Sequence, residues 1–110
     1  MAIPENTRQL LLQRLRRRAQ ERWPALADVA VRYRASFAYI DGVTASGETL
    51  PLCRLRYLNS ASTWGFAAYV ASKDGYEESV LPNGSFTGTP EEALDCVCGL
   101  YLNDPSAWRS

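Results

Sequence analysis

The sequence predicts a two-layer α+β domain: an antiparallel β-meander of three to four strands, with an N-terminal and a C-terminal helix packed on one face, in the order α-β-β-β-(β)-α. Three observations predict it. Apolar residues recur at helical spacing near both ends of the chain. They alternate at period two through the middle. Turn signals, most of them carrying glycine, separate the alternating runs. The 110 residues form one domain, 1–110, long enough to bury a core without disulfide or metal staples.

The first element is a helix. In "NTRQLLLQRLRRRAQERW" Leu11, Leu12, Leu15 and Ala19 share one face. Asn6 followed by Gln9 reads as a capping pair, and Trp23-Pro24 ends the helix, because proline disfavours helical geometry in the residue before it. Arg14, Arg17 and Arg18 lie on the flank and back of the apolar stripe.

Residues 29–40, "VAVRYRASFAYI", alternate as one half-buried strand. Val29, Val31, Tyr33, Ala35, Phe37 and Tyr39 face the core, and Arg32 and Arg34 face outward. A three-residue loop, Ala45-Ser46-Gly47, leads to a second strand over 49–58, with glycine at the position that needs a positive φ. That register sets Phe37 opposite Leu55 and Tyr39 opposite Cys53, with Arg54 and Arg56 outward. The turn "NSAS" leads to a third strand over 63–71, pairing Tyr57 with Trp64, Leu55 with Phe66 and Cys53 with Ala68. Asp74-Gly75 signals a hairpin into a short fourth strand, Tyr76 to Leu81, and "LPNGSFTG" reads as a loop.

The last helix begins at Thr89. Pro90 takes the first helical position and Glu92 completes a capping box. Ala93, Leu94, Val97, Leu100 and Tyr101 share its apolar face. Cys96 and Cys98, about 200° apart around the helix, flank that face on opposite sides and cannot hold one metal or pair with each other there. With Cys53 on a core-facing strand position, the three thiols read as inert core residues, and no metal and no cofactor are expected.

Composition narrows the function. There is no histidine, so Ser–His and Cys–His nucleophile pairs are excluded, and the chain is expected not to be an enzyme. No run is apolar enough to span a membrane and the N-terminus lacks the order of a signal peptide, so a cytoplasmic protein with no membrane partner is expected. Net charge is zero but divided. Residues 1–58 carry ten arginines against five acids, and residues 59–110 carry Lys73 and Arg109 against seven acids. Two arginine sets follow as candidate binding residues: Arg32, Arg34, Arg54 and Arg56 on the outward sheet face beside the small Gly65 and Ala67, and Arg14, Arg17 and Arg18 on the first helix. Neither Glu77-Glu78 nor Glu91-Glu92 is arranged as a catalytic dyad. Trp108 either docks on the fold or meets a second chain.

"LPLCRLRY", "WGFAAYVASKDGYEESVLPNG" and "GTPEEALDCVCGLYLNDPSAW" resemble a family of uncharacterised small actinobacterial proteins of about this length. Such proteins tend to lie among plasmid and mobile-element genes, so the resemblance implies a DNA-linked or regulatory role and brings no site residues. The α-β-β-β-α order also looks like a double-stranded-RNA-binding domain. That family's basic cluster at the start of its last helix does not carry over, since Pro90, Glu91 and Glu92 stand there. "TGTPEEALD" resembles the strand-to-helix junction of a small antitoxin fold. The expected function is a small accessory or regulatory interaction module that meets an acidic protein partner, or itself, through the arginine-bearing sheet face. The alternative is nucleic-acid binding through the same arginines and the first helix.

Overall fold

A computed structural model describes residues 2–102, with side chains from 2 to 99. Trp108, and the side chains of Leu100 and Tyr101, lie outside the described residues. The chain runs α1 (Glu5–Arg22), β1 (Leu26–Arg34), β2 (Phe37–Thr44), β3 (Thr49–Tyr57), β4 (Trp64–Val70), a 3-10 turn (Ala71–Lys73), β5 (Gly75–Glu78), β6 (Thr87–Gly88) and α2 (Pro90–Leu102). β1 to β5 form an antiparallel meander in sequence order, and β6 pairs with the other end of β4. Both helices pack on one face and bury a core that includes Leu11, Leu15, Val29, Ile40, Leu52, Leu55, Trp64, Leu94 and Val97. The α+β architecture is as the sequence predicts, with more strands; the three-strand order of a double-stranded-RNA-binding domain is not kept.

The largest departure lies in residues 29–40. The run expected as one strand is a hairpin, β1 and β2, closed by the two-residue turn Ala35-Ser36. Ala35 supplies the turn at φ +53, a left-handed conformation that crowds any Cβ. Neither residue is a glycine, proline, asparagine or aspartate, and Ser36 favours turns only weakly, so the turn leaves little mark in the sequence.

The loop after β2 is as expected. Thr44 N–H bonds Glu48 O at 2.9 Å, and Gly47 takes φ +90. Beside that loop the expected register holds, with Asp41 opposite Pro51. It then slips by one at a bulge, so that Ile40 meets Cys53, Ala38 meets Leu55, Tyr39 meets Arg54 and Phe37 meets Arg56. Proline has no N–H for the ladder, and a bulge is where a central strand accommodates it. The two consecutive residues Leu52 and Cys53 are both buried as a result. Ala38 and Ile40 therefore fill the core, and Phe37 and Tyr39 turn to the outer face, opposite to the expectation. The β3–β4 register is as expected: Tyr57 with Trp64, Leu55 with Phe66, Cys53 with Ala68.

α1 starts earlier than the Asn6 cap predicts. Pro4 is the N-cap residue, with no side-chain cap bond, and Arg8 N–H bonds Pro4 O at 3.0 Å. α2 starts as expected: Thr89 Oγ1 accepts from Glu92 N–H at 3.1 Å, and Glu92 Oε1 accepts from Thr89 N–H at 2.9 Å.

A ladder of charge joins the helices. Arg14 forks onto Glu91 at 2.8 and 2.6 Å, and one turn on Arg18 reaches Asp95 at 2.6 Å, where Trp23 Nε1 also donates at 2.9 Å. Burial pushes the Glu91 and Asp95 carboxyls up, but these bonds and the arginine charges outweigh it and hold both below the ordinary carboxylate values.

Two predictions follow from this geometry. Glycine has no Cβ to crowd at φ +53, so Ala35→Gly should stabilise the protein by about 0.5–1 kcal/mol in urea denaturation, the relief of strain exceeding glycine's greater entropy when unfolded. A loss of stability would contradict the left-handed turn. Carboxyls with lowered folded-state pKa contribute stability that is complete above their unfolded pKa and lost as pH falls through the folded one. The melting temperature should therefore hold above about pH 5 and fall below about pH 4. Glu91→Gln with Asp95→Asn should lower it at neutral pH and flatten the acid limb; an unaltered limb would assign acid sensitivity to other groups.

Candidate functional site: the arginine-bearing sheet face

The sheet face away from the helices carries three cross-strand rows. One runs Arg34, Phe37, Arg56, Gly65. The next runs Arg32, Tyr39, Arg54, Ala67, Glu78. The third holds Asp41 on β2 and Tyr69 and Tyr76 on β4 and β5. All four sheet arginines that the sequence nominates share this face. The aromatic residues among them are what sequence reasoning missed, because a single strand over 29–40 places Phe37 and Tyr39 in the core. Pro51, in an otherwise central strand, was the available signal for the slip.

The arginines differ in what they touch. Arg32 donates from Nε to Asp41 Oδ2 at 2.9 Å and lies 5.4 Å from the Tyr39 ring centroid. Asp41 is only 4 % exposed, so this pair satisfies a buried charge. Arg54 lies over Phe37 at 4.6 Å and near Tyr76 at 5.9 Å, which in turn meets Tyr39 edge-on at 5.2 Å. The Tyr76 hydroxyl is held above its ordinary pKa, first by burial and then by the Asp41 charge, with Arg32 opposing. Arg56 lies along Gly65, where a Cβ would stand 3.3 Å from the arginine Cβ and 3.4 Å from Nε. Among the described residues no carboxylate lies within ion-pair distance of Arg34, Arg54 or Arg56.

Phe37, Arg54, Arg56, Gly65, Glu78 and Phe86 line a hollow of about 80 Å³. That is far below the roughly 300–1,000 Å³ of a small-molecule site, and suits one carboxylate or phosphate group. Phe86, 56 % exposed, stands at its rim.

The helix set is placed differently. Arg14 and Arg18 are spent on α2, and Arg16 on Asp28 at 2.9 Å. Arg17 alone of the nominated three is exposed and without an ion pair among the described residues. The structure therefore does not join the helix arginines to the sheet arginines as one basic surface.

Among the described residues no group of three His, Cys, Asp or Glu side chains could hold a metal, and no helix is long and apolar enough to cross a membrane. Burial raises the pKa of all three thiols, Cys98 to about 12, with Cys53 buried and Cys96 partly so. No family model, no curated protein and no solved structure matches the chain.

Thiolate is the reactive form, so iodoacetamide at pH 8 should label the folded protein slowly, Cys96 first, and Cys53 only as fast as the fold opens. Rapid labelling of Cys53 in mass-spectrometric time points would contradict the burial.

Proposed function

We propose that the chain is a small accessory or regulatory interaction module whose arginine-bearing sheet face meets an acidic protein partner, and that it acts by binding rather than catalysis. The observation that carries this reading is the sorting of its arginines. Arg14, Arg16, Arg18 and Arg32 are neutralised within the fold, whereas Arg34, Arg54 and Arg56 share one face with no ion pair among the described residues, Glu78 lining the same hollow but beyond ion-pair distance. Arg54 and Arg56 stand two residues apart on β3 and Arg34 lies across β2 from them, so their charges reinforce one another on one face, which is unfavourable in isolation and favourable against an anion. Arginine and aromatic side chains together are the composition of protein-binding hot spots. Three unpaired thiols support a reducing, cytoplasmic setting.

A second reading, nucleic-acid binding, gains from Phe37, Tyr39, Tyr76 and Phe86, since bases stack on sheet aromatics. It loses from the neutralisation of α1, which removes most of the basic surface a phosphate backbone would follow. The resemblance to small actinobacterial proteins would suit either reading equally.

Fluorescence anisotropy separates them. A labelled decaglutamate peptide and mixed-sequence DNA and RNA oligonucleotides would be titrated from low to physiological salt, against wild type and Arg54→Glu with Arg56→Glu. Peptide binding that weakens at least tenfold in the double variant is expected. Oligonucleotide binding that falls steeply with salt, with no peptide binding, would replace the first reading by the second.

A further inference from the structure

Among the described residues β1 is the edge of the sheet, paired on one side only. Its backbone groups alternate between β2 and open space, and the direction of alternation is fixed. Arg34 and Phe37 flank a two-residue turn and so form a hydrogen-bonded pair, as do Arg32 with Tyr39 and Ala30 with Asp41. Tyr57 N–H on Ser36 O at 2.8 Å agrees, since it assigns the even residues of β2 to β3 and the odd ones to β1. The N–H and C=O of Val29, Val31 and Tyr33 therefore point away from the sheet.

One of these is already closed. Asp28 Oδ1 accepts from Val29 N–H at 2.8 Å, and Arg16 holds that carboxylate at 2.9 Å. This blocks the start of the edge in the way exposed edges are usually guarded. Val31 and Tyr33 remain, between Ala30 and Arg34. Two copies of the chain pairing over this stretch would set arginine opposite arginine, which disfavours self-association there. An acidic strand meets the opposite situation. Its acids would lie beside Arg32 and Arg34 on the outer face, and its intervening side chains beside Val31 and Tyr33, which pack against the core.

We propose that β1 takes an extended acidic segment of a partner protein as an added strand, bonded to the backbone of Val31 and Tyr33 and selected by Arg34, the arginine of this strand that no carboxylate holds. The inference rests on the acidic-partner reading and gives that partner its form: acids at alternate positions, apolar residues between them. The added strand would continue the face that carries Arg54 and Arg56.

Amide exchange by NMR tests the edge first. In the free protein the Val31 and Tyr33 amides should exchange faster than those of Ala30, Arg32 and Arg34. An acetylated, amidated heptapeptide of alternating glutamate and valine should slow the exchange of Val31 and Tyr33 and shift their resonances; a lysine–valine peptide should not. Val31→Pro removes a donor that β2 does not use and should weaken binding at least tenfold with an unchanged fold. The same peptide N-methylated at its valines should lose binding to the wild-type protein, which keeps the test sound if the proline variant is unstable. Binding that survives both changes and is lost in Arg54→Glu with Arg56→Glu would overturn edge docking and leave the acidic-partner reading standing. No binding of any acidic peptide would overturn both. A dimer formed through Val31 and Tyr33 in the free protein would also overturn the inference.

Discussion

The arrangement of the outer face depends on one constraint, the conflict between two turns that act on β2 from its two ends. The Ala35-Ser36 turn sets Phe37 on the same face as Arg34 and so turns Ala38 and Ile40 inward. The Ala45–Gly47 loop sets Asp41 opposite Pro51. Carried on without interruption, that second register would aim Arg54 and Arg56 into the core and Cys53 and Leu55 outward. The bulge after Pro51 absorbs the difference of one residue. Proline is suited to this position because it has no N–H to give and the ladder is already broken there. Core packing, the aromatic floor and the outward arginines all follow from that single inserted residue.

The division of charge between the halves of the chain has a structural part and a remainder. Arg14 and Arg18 are one helical turn apart on α1, and Glu91 and Asp95 are one turn apart on α2, so the two spacings match rung for rung. This ladder, with Trp23 on its last rung, ties the termini of the domain together where no strand connects them. Forked arginine–carboxylate geometry adds direction to the attraction and fixes how the helices lie. The sheet arginines take no part in it. Charge asymmetry in the sequence therefore reports helix docking and a separate surface feature at once, and only coordinates divide the two.

Much of the fold was legible because its punctuation is explicit. Thr89, Pro90 and Glu92 spell a helix start, Gly47 and Asp74-Gly75 spell turns, and the loop after Tyr57 fixed a register that the structure keeps. The Ala35-Ser36 turn was illegible for the converse reason: alanine prefers no turn, serine favours one only weakly, and the flanking alternation runs through them unbroken. α1 offered the opposite trap, a good capping pair at Asn6 and Gln9 passed over for a start at Pro4, whose fixed φ of −59 and carbonyl serve the first turn. The arginines of the site were legible because β1 and β3 keep the parity their patterns suggest. Phe37 and Tyr39 were not, since an unseen turn had reversed the parity of β2.

Arginine on an aromatic floor differs from arginine in water. A guanidinium stacked on a ring has already given up part of its rotational freedom and part of its weak hydration, while its in-plane N–H groups stay open at the edge. Arg54 over Phe37 is in that state. Arg56 reaches a comparable one through Gly65, whose missing Cβ lets the arginine stem lie flat. An acidic group arriving there would meet donors already oriented, and the entropy of ordering them would have been met during folding. Lysine, with a compact and strongly hydrated ammonium, would not be held in this way. The same logic separates Arg32, whose charge is spent on the buried Asp41, from Arg34, Arg54 and Arg56. The first is needed for the sheet to close over a carboxylate; the other three are oriented by the fold without being used by it, and that difference is the physical basis for the proposal that they serve recognition.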